Sequence, residues 1–407
     1  MYIYKLSMEY YDINQTHGLS GLQNIGNTCY MNSIIQALSS LDLFRSYLLT
    51  NQHLNVLVNK AENNKKTQNE CRQYIENSIV HRLSILFKLM WNQNRVVIPE
   101  QFKKIISTKD KMFLGFQQHD SQELLNMLLD SIHDELMVNI SIVYKNIDPN
   151  VEKFMKLKRR YLQKEKDKIL GEYEKIEFER YFKEFKNSNA VHYINGSYYI
   201  YWENYVKKSY SIITRLFTGT FLSIVQCMRC YNRSESFEPF NILSVELKNS
   251  RKIMTLDECL DSFTTEEILD GDNKYYCYEC KQNNKAVKKI VIWKAPEILI
   301  IQLKRFKNYG HVSMKVNTNV QIPIVDFDIS KYMSQNDVTD KYTLQSISSH
   351  MGTCGGGHYT AYCRNPNNEW YEFDDGKVEH NPIDENDKHI VSNNAYILFY
   401  VKQQLPK

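Results

Sequence analysis

The spacing of apolar residues changes about halfway along the chain. In the first part, apolar residues recur every three or four positions from Thr28 to Leu41 and from Ser121 to Leu136, which is the period of an amphipathic helix. After Ser209, short runs rich in Ile, Val, Phe and Tyr predominate, and turn signals separate them. These runs predict strands at Gly219–Cys227, Val287–Trp293, Ile298–Phe306, Tyr342–His350, His358–Arg364, Glu369–Asp374 and Ala395–Val401. Helices followed by strands predict an α+β fold with an antiparallel sheet.

A heavily charged segment separates the two regions. Residues 148–189 include the run KLKRRYLQKEKDK, and the apolar residues among them give only a loose helical stripe. The pattern predicts an inserted helical arm, which we place at 148–197. A solvated, charged helix is the simplest interpretation of such a run.

The composition is that of an ordinary globular protein. Of the 407 residues, 43% are hydrophobic and 24% are charged, and the net charge of +4 gives no reason to expect a nucleic-acid or membrane partner. The length exceeds that of a usual single domain, so we expect one large multi-lobed unit or two domains. Residues 1–17 lack the features of a secretory signal, and no apolar run approaches the roughly 20 residues that cross a bilayer. We therefore expect an intracellular monomer, in the cytoplasm, the nucleus or both.

One cysteine lies at a position suited to nucleophilic chemistry. The segment GLQNIGNTCYMNSIIQAL places Cys29 at the first turn of a predicted helix. The partial positive charge and free N–H groups of a helix N-terminus stabilise a thiolate and lower the pKa of the thiol. Asn24, in the preceding glycine-containing turn, could donate to an oxyanion that forms beside the sulfur. The alternative is a buried structural cysteine at the start of a helix that Asn27 or Thr28 caps.

Candidates for a general base lie near the C-terminal end. His358 follows three glycines, which predict a mobile loop, and stands at the start of a predicted strand. Asp374, at the end of the next strand, could orient the imidazole across a hairpin, and Asp375 could share that role or bind water. His350 is the competing base, but its place before the glycines suits a residue that lines the cleft or orders the loop. Two purely structural histidines are the remaining alternative.

Two CxxC pairs predict a metal site. Cys227-Met-Arg-Cys230 and Cys277-Tyr-Glu-Cys280 each offer two thiolates, and four thiolates form a closed tetrahedral site for a structural zinc ion. A reducing compartment favours metal binding over disulfides. Two disulfides or a redox-active CxxC pair are the alternatives.

Taken together, these segments resemble the ubiquitin-specific protease family. The Cys box GLQNIGNTCYMNSIIQAL, the segment QQHDSQELL, the two CxxC pairs, the strand APEILIIQLKRF and the His box GGGHYTAYCRN…WYEFDD occur in the family's order. The resemblance implies a papain-like cysteine protease domain at 18–401, preceded by a leader at 1–17 and followed by a tail at 402–407. Within the domain we expect a helical thumb at 18–147, the charged insertion at 148–197, zinc-stapled β fingers mainly at 209–300 and an antiparallel β palm mainly at 301–401.

The resemblance also implies roles for individual residues. Cys29 matches the nucleophile, His358 the base, Asp374 the orienting acid and Asn24 the oxyanion donor, with Asp375 beside them in the catalytic group. The implied substrate-binding residues are Gln118, Asp120, Glu123, His350, Gly356, Gly357 and Tyr359. For two of these an alternative remains, because Asp120 and Glu123 could instead form a capping box for the helix that begins at Ser121.

The implied activity is hydrolysis of the bond after the C-terminal glycine of ubiquitin, through a thioester, with one structural zinc as the cofactor. Such an enzyme removes ubiquitin from proteins or trims ubiquitin chains, so ubiquitin and ubiquitinated proteins are the expected partners. A protease for another ubiquitin-like modifier would use the same triad and is the first alternative. An inactive ubiquitin-binding scaffold is the second, and the presence of all the catalytic residue types argues against it. The insertion is longer than the family minimum, and it could contact particular substrates or chain types or only decorate the surface.

Overall fold

The computed structural model describes residues 18–249, 252–309, 312–334, 340–354, 356–383 and 387–403. The predicted leader at 1–17 and Gly355 of the predicted loop lie outside the described residues. The helices of the described part are α1 (Cys29–Ser39), α2 (Asp42–Leu49), α3 (Gln52–Asn63), α4 (Gln68–Glu76), α5 (Ile79–Asn92), α6 (Glu100–Lys109), α7 (Ser121–Leu136), α8 (Pro149–Lys166), α9 (Glu172–Ser188), α10 (Ala190–Val206), α11 (Ile212–Leu216) and α12 (Leu256–Thr264), with short 3₁₀ turns at Lys111–Phe113, Gly271–Asn273 and Ser330–Tyr332. Within the described ranges, none of these helices combines the length and the apolar run needed to span a membrane.

Strands occupy most of the second half of the chain. They are β1 (Gly219–Cys227), β2 (Arg233–Phe240), β3 (Ile242–Glu246), β4 (Met254–Thr255), β5 (Glu267–Leu269), β6 (Tyr275–Cys277), β7 (Gln282–Asn284), β8 (Ala286–Lys294), β9 (Ile298–Lys304), β10 (Phe306–Tyr309), β11 (Val312–Lys315), β12 (Val320–Pro323), β13 (Phe327–Asp328), β14 (Lys341–Thr353), β15 (Gly356–Arg364), β16 (Trp370–Asp374), β17 (Lys377–His380), β18 (His389–Ser392) and β19 (Ala395–Lys402). Helices in the first half and mainly antiparallel sheets in the second confirm the predicted α+β class.

The largest sheet forms the palm. Its strands follow the order β17-β16-β15-β14-β19-β9-β3, with β13 also paired to β14, and only β3 and β9 run parallel. The glycine segment that predicts a mobile loop is, in its described residues, the end of the β14–β15 hairpin, where Thr353 pairs with Gly356. Gly352 has a φ of +113° there, a conformation that favours glycine, and a Cβ at this position would press on the opposite strand.

Helix α1 lies between the helical thumb and the palm sheet. All of its residues are buried, and it packs against α7 on the thumb side and against β14 and β15 on the palm side. Small polar residues complete the contact with the sheet, since Ser348 donates to Oγ of Ser33 and Ser346 donates to the main-chain oxygen of Ala37. Because both faces of α1 are covered at core packing density, its N-terminal end is fixed relative to the strands.

The fingers consist of the four-stranded sheet β2-β1-β8-β5 and the small hairpin β6-β7. Helices α8, α9 and α10 form the arm, and its last helix packs on the finger sheet. Tyr198 of α10 lies with its ring centre 5.3 Å from that of Phe237 and 5.6 Å from that of Trp293. This aromatic layer makes the base of the arm part of the finger core.

A second contact joins the outer part of the arm to the fingers. Lys183 of α9 pairs with Glu279, which lies between the two cysteines of the second CxxC pair, and Lys186 pairs with Glu235 of β2. Lys183 and Glu279 are both about half exposed, so their ion pair contributes little to stability. The arm therefore follows the side of the fingers up to the cysteine cluster.

Arg305 is a buried cation that joins several parts of the palm. Its side chain is fully buried, and burial lowers the pKa of its guanidinium to about 10. It donates to four main-chain oxygens, those of Val316, Thr318, Ser392 and Ala395. The planar fork of an arginine can reach all four acceptors at once, which the single ammonium of a lysine cannot do.

We expect Arg305→Lys to lower the free energy of unfolding by about 3 kcal/mol, because buried carbonyls lose their donors. Urea unfolding followed by tryptophan fluorescence measures the change. The neighbouring Lys304 pairs with Glu246 on the surface, so Lys304→Ala serves as the control and should cost less than about 1 kcal/mol. Equal losses in the two variants would contradict the role given to Arg305.

Candidate active site

Cys29 begins helix α1 at the junction of thumb and palm. Its side chain is only 3% exposed. The backbone N–H groups of Cys29 and Tyr30 face the thiol from the helix, and the N–H of Tyr359 faces it from strand β15. Because Tyr359 directly follows His358, this contact brings the His358 segment to the sulfur.

The pKa of the Cys29 thiol is raised in this structure. Burial is the largest cause, the N–H of Tyr359 opposes it, and the negative charge of Asp375 adds to it. The helix N-terminus alone predicts a lowered pKa, and that expectation is wrong for the free protein because burial outweighs the N–H groups. The neutral thiol is therefore the resting form at neutral pH.

Strands β15 and β16 bring His358 and Asp374 into contact. Nε2 of His358 lies 2.5 Å from Oδ1 of Asp374. This contact uses one ring nitrogen and leaves Nδ1 as the nitrogen that can accept a proton. Among the residues that the structure describes, no hydrogen bond joins the His358 ring to the Cys29 thiol. The structure thus brings the three predicted residues to one region, where the His–Asp contact is made and the residue after His358 contacts the thiol of Cys29.

Asp375 lies in the two-residue turn between β16 and β17 and faces the N-terminal segment. Its φ of +49° is one that aspartate tolerates better than most residues. Oδ2 of Asp375 accepts a hydrogen bond from Nδ2 of Asn24 at 2.9 Å, and its main-chain oxygen accepts one from the N–H of Leu22 at 2.7 Å. The segment before α1 and this turn lie so close together that a Cβ at Gly21 would collide with the main-chain oxygen of Gly376.

The orientation of the Asn24 amide follows from its partners. Its Oδ1 accepts from the backbone N–H groups of Gly26 and Thr28, both at 3.1 Å, so Nδ2 must face Asp375. An amide nitrogen carries two hydrogens, and Asp375 uses one of them. Within the described residues, the second N–H of Asn24 makes no hydrogen bond to the protein.

A reciprocal pair of hydrogen bonds crosses the cleft next to these groups. Nε2 of Gln118 donates to the main-chain oxygen of Gly357 at 3.0 Å, and the N–H of Gly357 donates to Oε1 of Gln118 at 3.1 Å. Gly356, which precedes this contact on β15, is exposed. The side chain of Gln118 thus satisfies both backbone polar groups of Gly357.

His350 and Tyr359 are paired residues of the β14–β15 hairpin. The ring of His350 is buried, with its centre 5.0 Å from that of Phe306 and 4.6 Å from that of Tyr359. The pKa of His350 is lowered to about 4. Burial is the largest cause, and the positive charges of Lys315 and His358 add to it. The side chain of Tyr359 is also buried, so the group it presents to Cys29 is its backbone N–H. A Cβ at Gly357 would collide with the His350 ring, so this histidine helps to shape the hairpin.

Asp120 and Glu123 differ in their surroundings. Asp120 caps helix α7 by accepting from the N–H of Gln122 at 2.8 Å, and the phenol of Tyr396 donates to both of its oxygens. Glu123 is exposed and makes no return contact, so the complete capping box is not formed. Burial raises the pKa of both carboxyl groups, and the charge of Asp120 adds to the effect on Glu123.

Asn32 is a polar residue of this site that was not predicted from the sequence. It lies one helical turn after Cys29, is 2% exposed, and donates from Nδ2 to Oδ1 of Asp375 at 2.8 Å. The available signal was an asparagine between the apolar residues Met31 and Ile35 of a predicted amphipathic helix. A buried amide in such a helix needs a partner, but the sequence does not say which.

The four predicted metal ligands converge at the tip of the fingers. The sulfurs of Cys227, Cys230, Cys277 and Cys280 all lie within 4.8 Å of one another, and those of Cys230 and Cys277 are 3.6 Å apart. A disulfide requires about 2.05 Å. Four thiolates about 2.3 Å from a tetrahedral metal ion lie about 3.8 Å apart, so this cluster can hold a metal ion.

Both CxxC pairs share the same backbone conformation. The residue after each pair, Tyr231 or Lys281, has a positive φ, of 61° and 53° respectively. The N–H of Tyr231 donates back to the main-chain oxygen of Cys227. These tight turns direct the two sulfurs of each pair to the same side.

Comparison with known proteins identifies the family. A family model described as "Ubiquitin carboxyl-terminal hydrolase" matches residues 20–400. A probable ubiquitin carboxyl-terminal hydrolase of Acanthamoeba polyphaga mimivirus is 31% identical over 96% of this chain and 91% of its own length. Ubiquitin carboxyl-terminal hydrolase 2 of Homo sapiens is 32% identical over 94% of this chain, and Usp2 of Drosophila melanogaster is 33% identical over 95%. The chain spans 55% of the human relative and 35% of the fly relative.

Solved structures show the same fold. The SAGA DUB module of Ubp8, Sgf11, Sus1 and Sgf73 bound to ubiquitin aldehyde matches with a TM-score of 0.66 and 24% identity, over 98% of this chain and 72% of the solved one. The same module bound to monoubiquitin also gives a TM-score of 0.66, at 22% identity. These matches confirm the predicted fold of thumb, palm and fingers. With the family model covering nearly all of its length, this chain belongs to the ubiquitin carboxyl-terminal hydrolases, as a member of the ubiquitin-specific protease family.

Proposed function

We propose that this chain is a thiol-dependent deubiquitinase that hydrolyses the peptide or isopeptide bond after the C-terminal glycine of ubiquitin. The observation that supports the proposal best is the convergence of Cys29, the His358–Asp374 pair and the Asn24 amide at one cleft between thumb and palm. Each of these groups comes from a different part of the chain, and together they supply a nucleophile, an oriented base and an oxyanion donor.

In the proposed mechanism, Nδ1 of His358 takes the proton from Cys29, and the thiolate attacks the carbonyl carbon of the terminal glycine. The free N–H of Asn24 and the backbone N–H groups around Cys29 stabilise the oxyanion, at roughly 3–4 kcal/mol per donor. His358 then gives the proton to the departing amine, which leaves a thioester on Cys29. Water, deprotonated by His358, attacks the thioester and releases ubiquitin with a free carboxylate.

During turnover, the contact between Gln118 and strand β15 must open and close. The Gln118–Gly357 pair must separate for an extended tail to reach Cys29, because it occupies the backbone groups of β15. His358 then moves to within hydrogen-bond distance of the Cys29 thiol.

Zinc is the metal that we propose for the cysteine cluster. Four thiolates in a closed tetrahedral arrangement favour zinc, and such a site leaves no position for substrate. Cys227, Cys230, Cys277 and Cys280 would hold the ion, and its contribution is structural, since it fixes the ends of the finger hairpins.

Cys29→Ala should abolish hydrolysis of ubiquitin-aminomethylcoumarin, because the proposed thioester forms on the Cys29 sulfur. A ubiquitin propargylamide probe should label the wild type at Cys29, as mapped by peptide mass spectrometry. Cys71 is a partly exposed thiol on α4, outside the cleft, so Cys71→Ser is the matched control and should retain activity.

The same probe design distinguishes the other candidate functions. If a probe built on a different ubiquitin-like modifier labels the protein and the ubiquitin probe does not, ubiquitin is not the modifier that it cleaves. Binding of ubiquitin by a wild type that never turns over the fluorogenic substrate would support an inactive scaffold instead.

The rate at which iodoacetamide alkylates Cys29 in the free protein should keep rising as the pH increases through 9, because burial and Asp375 raise the pKa of this thiol and only the thiolate reacts. The measurement is a pH series of Cys29-specific adduct formation by mass spectrometry. A rate that reaches its plateau below pH 8 would contradict the raised pKa.

Cys227→Ser should remove the metal and weaken ubiquitin binding more than it slows the chemical step. Elemental analysis of the purified wild type should give one zinc ion per chain, and the variant should have less. The dissociation constant for ubiquitin, measured in a Cys29→Ala background, should rise, whereas alkylation of Cys29 by a small reagent should not change. Absence of zinc from freshly purified wild type would overturn the zinc site.

A further inference from the structure

Asn32 is a buried amide with specific partners in the site. Its Nδ2 donates to Oδ1 of Asp375 at 2.8 Å and to the main-chain oxygen of Leu22 at 3.1 Å. It lies on α1 one turn after Cys29 and is 2% exposed. These partners satisfy Nδ2, whereas the buried Oδ1 of Asn32 has no hydrogen-bond partner among the described residues, so the amide is kept at a cost in stability.

The carboxylate of Asp375 is held from two sides. Asn32 donates to Oδ1 and Asn24 donates to Oδ2, at 2.8 and 2.9 Å. Both donors are neutral amides of the thumb, whereas Asp375 belongs to the palm. Rotation of the carboxylate would break at least one of the two contacts, so Asn32 restricts the direction in which Asp375 holds Asn24.

Asn24 in turn has only one free donor. Its Oδ1 is fixed by the N–H groups of Gly26 and Thr28, and one hydrogen of Nδ2 faces Asp375. The other hydrogen is the one that the proposed mechanism assigns to the oxyanion. Its direction depends on the plane of the amide, and Asp375 fixes that plane.

We infer that Asn32 is a positioning residue, which acts through Asp375 to aim the second N–H of Asn24 at the oxyanion formed beside Cys29. The inference rests on the proposed function and adds to it a residue that does not itself touch the substrate. It also gives Asp375 a defined role, as the link between two asparagines, instead of that of a second acid for His358.

A purely structural role for Asn32 is the competing explanation. The contact with Leu22 could simply join α1 to the segment that precedes it. Gln36, one turn further along α1, offers a matched control. It is also 2% exposed, and its Nε2 donates to the main-chain oxygen of Ser20 at 2.8 Å, but it makes no contact with Asp375.

The experiment compares Asn32→Ala with Gln36→Ala in hydrolysis of ubiquitin-aminomethylcoumarin. We expect Asn32→Ala to lower kcat at least about 10-fold, because loss of an oriented oxyanion donor acts on the transition state alone. KM should change less than about twofold, and so should the affinity for ubiquitin in a Cys29→Ala background. Gln36→Ala should keep kcat within about threefold of the wild type, although both variants lose a buried amide. Melting temperatures of the two variants provide the control for folding.

A double-mutant cycle tests whether the effect passes through Asp375. If it does, Asn32→Ala should lower kcat less than about twofold further once Asp375→Ala is present. Independent losses that multiply would overturn the inference. Should Asn32→Ala fail to fold, Asn32→Ser is the second variant, since a serine is too short to reach Asp375 but can bond within the helix.

The outcomes distinguish a failure of the role given to Asn32 from a failure of the proposed function. An active wild type with equal losses of kcat in the Asn32 and Gln36 variants would overturn only the role of Asn32. A wild type that turns over no ubiquitin substrate would overturn the proposed function, and this inference with it.

Discussion

The carboxylate of Asp375 is the point at which two distant parts of the chain meet. It accepts hydrogen bonds from Asn24 and Asn32, which lie 351 and 343 positions away in sequence. The thumb supplies the thiol and the amides, and the palm supplies the imidazole and both aspartates. A small shift between thumb and palm would therefore separate the reacting groups, and these short polar contacts oppose it. Their geometry is specific because neither amide has another orientation that satisfies its partners.

Burial of Cys29 favours the neutral thiol over the thiolate. The same packing that fixes the helix also removes water from the sulfur, and this raises the pKa that a helix N-terminus would otherwise lower. The thiolate is the form that is alkylated or oxidised, so the raised pKa slows both reactions at neutral pH. The Gln118–Gly357 pair occupies both backbone groups of Gly357, two residues before Tyr359, whose N–H faces the sulfur.

Much of the fold could be predicted from spacing alone. The seven predicted strands were found because their apolar runs are buried in a sheet, as in β9 and β19. Strand β2 was not predicted, since its sequence RSESFEPF is polar and mostly exposed, and pairing with β1 determines its conformation instead. The cysteine cluster followed from residue type and spacing. The raised pKa of Cys29 and the partners of Asn32 could not be predicted, because burial and hydrogen bonding across the fold are properties of its three-dimensional packing.

The two attachments of the arm respond differently to the solution around them. The aromatic layer at the base of α10 excludes water, so dissolved ions hardly affect it, whereas the exposed Lys183–Glu279 pair is weakened once the Debye length falls to a few ångströms. The neighbouring Lys186–Glu235 pair is largely buried, so salt screens it less, and it keeps the outer part of the arm on the fingers when the exposed pair weakens.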